Sequence, residues 1–171
     1  MQDASGQTRT LAEFAGRTVV LEWTNHGCPY VRKHYDAGNM QTLQRNAAAN
    51  DVVWLQVISS RPGAQGHLDG AGARARVQTD NAAPAATLLD PSGAMGRAYG
   101  ARVTPHMYII NPQGVLVYQG AIDDRPSARP ATLEGATNYV TAALGDLAAG
   151  RAVATSDTTP YGCTVKYPGV D

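Results

Sequence analysis

The sequence predicts an α/β sandwich with a central mixed β-sheet, and three observations carry the prediction. Apolar, β-branched runs alternate with helix signals from end to end, without an internal repeat. The length, 171 residues, suits one domain with a substantial core. Late in the chain, Asn111-Pro112-Gln113-Gly114 joins two short strand-like runs as a hairpin, which places an antiparallel pair in a sheet otherwise fed by helical crossovers. Composition removes several function classes. An apolar fraction of 43% excludes a disordered chain, and 18 Gly with 10 Pro fall below a low-complexity content. Lys and Arg number 14 and so do Asp and Glu, so nothing favours binding to a phosphate backbone. No stretch approaches the ~20 apolar residues of a membrane span.

Taken in order, Leu11-Ala12-Glu13-Phe14-Ala15-Gly16 reads as a short helical turn closed by glycine. Thr18-Val19-Val20-Leu21-Glu22-Trp23 is a buried strand. A polar elbow, Thr24-Asn25-His26-Gly27, leads to Cys28-Pro29, and proline suits the first position of a helix because its missing N–H costs nothing there. Asp36-Ala37-Gly38-Asn39 breaks that helix, with Asn39 placed to cap a second piece through Leu43 and Ala47. Residues 51–58 form the strongest strand, expected to be covered on both faces. After the loop 59–72 come a helix over 71–78, a short strand Thr87-Leu88-Leu89 and a short helix over 95–99. The hairpin strands are 107–110 and 115–118. Val140, Leu144 and Leu147, at i, i+4 and i+7, mark the last helix, closed at Gly150. The division expected is a domain over 1–150 and a polar tail over 151–171.

Cys28 is the most informative residue. It follows a buried strand and occupies the N-cap position of a helix, where unpaired N–H groups and the positive end of the helix dipole favour a thiolate. Arg32 and Lys33, one turn on, add positive charge, although both can point to solvent. The plain alternative is a small buried cysteine ending a strand. Thr104-Pro105 opens the first hairpin strand, and in this topology the proline lies against Cys28, where a cis bond suits it. Cys163 follows 135 residues after Cys28, in Pro160-Tyr161-Gly162-Cys163-Thr164. A cysteine in a polar tail is not core filler, so it either resolves a catalytic intermediate or acts as a static staple, and both readings stand. Closing so long a loop contributes about 4–5 kcal/mol in the chain-entropy model.

His26, His34 and His106 can gather near Cys28, and Cys28 with His26 and His106 forms a possible soft-metal set for copper or zinc. His34, six residues after Cys28, falls off its helical face at about 3.6 residues per turn. Asp123-Asp124 reads as a turn cap. Trp23, Trp54, Tyr108 and Tyr118 read as core or sheet-face residues. Neither a phosphate-binding glycine loop nor a nucleophile-elbow serine is present.

These segments together resemble a thioredoxin-like protein of the redoxin branch, the grouping of peroxiredoxins and thiol-specific antioxidants, in a bacterial subgroup. The carriers are 19–23, Asn25-His26-Gly27-Cys28-Pro29-Tyr30-Val31, Thr104-Pro105-His106-Met107-Tyr108-Ile109-Ile110, Asn111-Pro112-Gln113-Gly114, Gly120-Ala121-Ile122-Asp123-Asp124 and Tyr161-Gly162-Cys163. The resemblance covers roughly 6–167. It implies a thioredoxin-like fold and a thiol-dependent oxidoreductase of antioxidant type, with Cys28 attacking a disulfide or a peroxide and Cys163 as the second thiol. It also implies substrate contacts from Thr24, Asn25, His26, Thr104, Pro105 and His106.

Departures from the resembled patterns narrow this. Val31 stands where a CxxC motif has its resolving cysteine. The peroxiredoxin threonine, proline and arginine positions hold Asn25, Leu21 and Pro105, with Thr24 one residue out of register and Arg102 three early. Fast peroxide reduction is therefore less expected than disulfide exchange.

No cofactor is expected. The partners expected are a disulfide-bearing protein or a small peroxide, and a thiol reductant such as thioredoxin, with no nucleic acid. A metal-binding thioredoxin-fold protein and an inert binding module are the competing readings. Residues 1–6 are polar and carry no export signal. Two separated cysteines tolerate an oxidising compartment, so the bacterial periplasm is the expected location ahead of the cytoplasm.

Overall fold

The computed structural model describes residues 1–169. A 3-10 turn, Leu11–Phe14, precedes β1, Val19–Trp23, which is buried at every position. Then follow α1 (Pro29–Asp36), α2 (Asn39–Ala49), β2 (Val53–Ile58), α3 (Gly70–Thr79), β3 (Ala86–Leu89) and α4 (Ala94–Tyr99). A two-residue strand β4 (Val103–Thr104), β5 (His106–Ile110), β6 (Leu116–Gly120), a second 3-10 turn (Pro130–Leu133), α5 (Tyr139–Ala148) and β7 (Cys163–Thr164) complete the order. The mixed α/β sandwich expected from the sequence is what forms, with five strands in the order β3-β2-β1-β5-β6. β1 runs parallel to β2 and antiparallel to β5, with Trp23 opposite Val57 on one side and His106 on the other.

Alternation along the strands supplies both faces. Val20, Trp54, Met107 and Ile109 face α1, α2 and α5, packing on Val31, Tyr35, Met40, Leu43 and Val140. Val19, Leu21, Trp23, Leu55, Val57, Tyr108 and Ile110 face the other way, against Phe14, Met95 and Tyr99. Each large apolar side chain buried this way contributes about 1.5–3 kcal/mol. Carrying apolar residues to both faces is what made 51–58 read as a doubly covered strand.

Several local expectations are corrected. The break between α1 and α2 falls where expected, but Gly38, in the left-handed conformation at φ 72, is the N-cap of α2. Asn39 instead turns its amide onto His34 Nδ1 at 2.8 Å. α3 starts at Gly70 because the Asp69 side chain accepts the Gly72 N–H at 2.7 Å. The segment after α5 is stitched to the domain through backbone bonds from Gln119 to Ser156 and from Thr158 to Gln119. Further on, β7 pairs antiparallel with β4, Val103 opposite Thr164 and Thr104 opposite Cys163, a ladder too short to be seen in the sequence.

Candidate functional site

β1 ends where the polar elbow begins, and the elbow delivers Cys28 to the N-terminus of α1. Cys28 is the N-cap with extended backbone (φ −83, ψ 123), its carbonyl accepts from Val31 and Arg32 N–H, and Pro29 fills the first helical position. Its side chain makes no cap hydrogen bond to the helix. The sulfur instead lies 3.2 Å from the Thr104 carbonyl oxygen and 2.7 Å from Cys163 Sγ, and both cysteines are free thiols. The Thr104–Pro105 bond is cis. Fold and tail thus bring the two thiols together with Thr104 and Pro105.

A nucleophilic sulfur has to be reachable, and here the Cys28 sulfur is covered. Cys28 is 0% exposed, at the edge of the core cluster formed with Val31 and Ile122, while Cys163 is half-buried above it. Gly162 explains why the tail lies so close. A side chain there would have its Cβ 1.9 Å from the Thr104 oxygen, and its φ of 143 is one that glycine tolerates. The Cys163 thiol is pushed up to about 12, chiefly by burial and then by the neighbouring Cys28 sulfur. Both causes favour the protonated form of Cys163.

The other candidates divide. Thr104 is buried, and its hydroxyl stands 3.4 Å from the Cys163 carbonyl. The Thr24 hydroxyl supports the Glu22 carboxyl. Asn25 is consumed in shaping the elbow: its Oδ1 accepts the Gly27 N–H at 2.9 Å, and its Nδ2 meets the Gln65 carbonyl at 3.4 Å. Gly66 leaves room for it, since a Cβ there would sit 2.4 Å from Asn25 Cγ. His26 is half-buried, with a buried Nδ1 that finds no hydrogen-bond partner among the described residues. His106 is buried against Tyr108, whose hydroxyl is 3.2 Å from Nδ1. Among the described residues no three His, Cys, Asp or Glu side chains are grouped to hold a metal ion, so the copper or zinc set of Cys28, His26 and His106 is not assembled.

The Arg32 guanidinium is committed to Asp80, at 2.8 Å, and to Asp36. Lys33 is not solvated; it is 1% exposed, beside Asp123, which is 2% exposed and caps its turn as expected, its Oδ1 accepting the Arg125 N–H at 2.9 Å. The missed residue is Glu22. Buried on β1, it accepts from Tyr35 Oη at 2.6 Å, Trp54 Nε1 at 2.8 Å and Gln44 Nε2 at 3.2 Å. Burial raises its carboxyl to about 7 against these bonds. A charged residue inside a strand read as covered was the available signal.

Burial also lowers His34 and His106, each to about 4. The unfolded chain protonates these imidazoles first, so the stability they carry is present above about 6.5 and is lost as pH falls towards about 4. His106→Asn keeps an acceptor near the Arg102 N–H. It is expected to flatten the acid limb of stability against pH by about one proton, ~1.4 kcal/mol per pH unit at most. Urea midpoints across that limb measure it, and an unchanged limb contradicts the assignment.

Comparison with known proteins agrees with the fold. A hypothetical protein from Sinorhizobium meliloti 1021 superposes with a TM-score of 0.82 at 24% identity, over 99% of this chain and 91% of that one. An uncharacterized conserved protein from Geobacillus kaustophilus gives 0.85 at 21%, over 100% and 89%. A secreted disulfide oxidoreductase of Mycobacterium tuberculosis gives 0.56 at 20%, over 78% and 90%. A search of curated proteins finds no match. The redoxin family model matches residues 1–137, which include Cys28 and Pro105 and stop short of Cys163. The chain belongs to the redoxin family, on the thioredoxin-like fold.

Proposed function

We propose that the protein is a thiol–disulfide oxidoreductase that cycles between two thiols, Cys28 and Cys163, and one intramolecular disulfide. Membership of the redoxin family supports thiol-based redox chemistry in general. The observation that carries the finer reading is the 2.7 Å approach of the two sulfurs beside Thr104–Pro105. In the cycle, the Cys28 thiolate attacks one sulfur of a substrate disulfide, and the first substrate thiolate leaves. Cys163 then gives its proton to that leaving thiolate and attacks Cys28 Sγ. The second substrate thiolate departs, and the Cys28–Cys163 bond holds the two electrons' worth of oxidation. A dithiol reductant, of which thioredoxin is the expected type, restores both thiols.

Because Cys28 is covered, the first step requires the tail to lift from β4, and the ladder to be broken is two residues long. A disulfide is favoured over a peroxide as substrate. Arg102 is exposed, Thr24 supports Glu22, and Asn25 is spent on its own loop, so the donors that would polarise an O–O bond are elsewhere. The test is intact mass and thiol alkylation after mild oxidation by a small disulfide. Loss of two hydrogens together with both alkylatable thiols is expected. Two thiols that stay alkylatable at every oxidant ratio would overturn the reading.

A further inference from the structure

The tail of residues 160–167 is held at both ends around Cys163, and the upstream hold is a buried polar cluster that the proposed cycle does not use. Lys33 extends from α1, five residues after Cys28. Its ammonium donates to the Tyr161 hydroxyl at 3.0 Å and to the Arg125 carbonyl at 3.0 Å, and stands 3.6 Å from Asp123 Oδ2. The Tyr161 hydroxyl donates in turn to Asp123 Oδ1 at 2.5 Å. His34 Nε2 lies 3.4 Å from the same hydroxyl and 3.9 Å from Asp123 Oδ2, its other nitrogen accepting from Asn39. Tyr30 packs edge-on against the Tyr161 ring, centroids 5.9 Å apart. Downstream, Tyr167 donates to the Ala101 carbonyl at 2.7 Å, and its ring occupies the space that side chains at Gly93 and Gly96 would fill.

Burying a lysine and an aspartate together is a poor way to gain stability, because desolvation offsets most of the attraction. What the cluster does uniquely is geometric. It joins the helix that carries Cys28, the loop after β6, and the tail two residues before Cys163.

We propose that the Lys33–Asp123–Tyr161 clasp is a positioning device that sets the local concentration of the Cys163 thiol at Cys28, and through it the reduction potential of the pair. The inference rests on the Cys28–Cys163 reading above. In the exchange that measures it, the two thiols give two electrons and two protons to one glutathione disulfide. That molecule leaves as two glutathione thiols while the Cys28–Cys163 bond forms. Tyr161→Phe keeps the ring and its packing on Tyr30 but removes the hydroxyl hub. A side chain that merely stabilises the fold lowers both redox forms alike and leaves this equilibrium where it was; a positioning side chain does not.

The expected result is that Tyr161→Phe lowers the exchange constant with glutathione by about tenfold or more, the size of a lost charge-assisted hydrogen bond. Tenfold in this two-electron constant raises the potential by about 30 mV. Should the variant not fold, Asp123→Asn carries the same threshold. The wild-type protein separates the two claims. If it forms no protein disulfide at any glutathione ratio, the cysteine-pair reading falls and the clasp with it. A measurable wild-type constant with a smaller change in the variant overturns the clasp alone.

Discussion

Replacing Cys28 with serine is expected to lower disulfide-reducing turnover by at least about 10³-fold, as deletion of a covalent nucleophile does. Serine is nearly isosteric, so the elbow, the N-terminus of α1 and the contact with the Thr104 carbonyl can persist while the thiolate is gone. Cys163→Ser is expected to fail differently. Cys28 still attacks and still forms a mixed disulfide, but no internal thiol follows, so the cycle stops with the substrate covalently attached. Non-reducing electrophoresis and intact mass should then show the adduct in Cys163→Ser and not in Cys28→Ser or the double variant. The asymmetry follows from the structure. Cys28 sits at the helix N-terminus, whereas Cys163 sits on a two-residue edge strand with its proton held up to about 12 by burial and its neighbour. Wild-type turnover in Cys163→Ser would remove it from the cycle and leave it as a tail staple; residual full activity in Cys28→Ser would sink the proposed mechanism.

How much of this could be read in the sequence depends on how local the cause is. The position of Cys28 was legible because strand end, polar elbow and Cys-Pro are contiguous, and proline at the first helical position is a signal carried by one residue. Its burial was not, because the cover comes from 135 residues away through the pairing of Thr104 with Cys163. The same distance hid the clasp. Lys33 read as a solvent-facing charge because it was weighed alone; Asp123 does cap its turn, but only Tyr161 arriving from the tail joins the two in one buried group. Asn25 shows a different limit. The resemblance implied substrate contact for it, but its bond to its own loop was open to a local reading, since a short polar side chain before Gly27 readily meets the backbone two residues on. The grouping of histidines failed for a related reason: nearness in sequence to Cys28 and Pro105 says nothing about direction, and His106 turns to Tyr108 while His34 turns to Asn39 and Tyr161. Glu22 was legible in principle, since a carboxyl inside an apolar strand must be paired or neutral when both faces are covered.

That carboxyl gives the largest expected effect on stability. Glu22 is 0% exposed, and its pKa is raised from 4.5 to about 7, with burial the main cause and the bonds from Tyr35, Trp54 and Gln44 acting the other way. For an acid raised in the folded state, the associated stability is fully present below about 4.5 and is lost as pH rises through about 7, because the unfolded chain releases its proton first. Each tenfold change in proton affinity is worth ~1.4 kcal/mol, so the loss amounts to about 3 kcal/mol. Glu22→Gln keeps the shape and is never charged, its carbonyl able to accept from Trp54 and Gln44 while its amide donates to Tyr35. The stability difference between variant and wild type is therefore expected to move in favour of the variant by about 2–3 kcal/mol between about pH 5 and about pH 8. For a chain of this size that is roughly 5–10 °C in Tm. His34 and His106 titrate in both proteins and cancel in the difference, which is why the comparison rather than either curve alone is the measurement. A difference that stays flat across that range would mean Glu22 is already ionised in the fold, and its hydrogen-bond donors would then outweigh its burial.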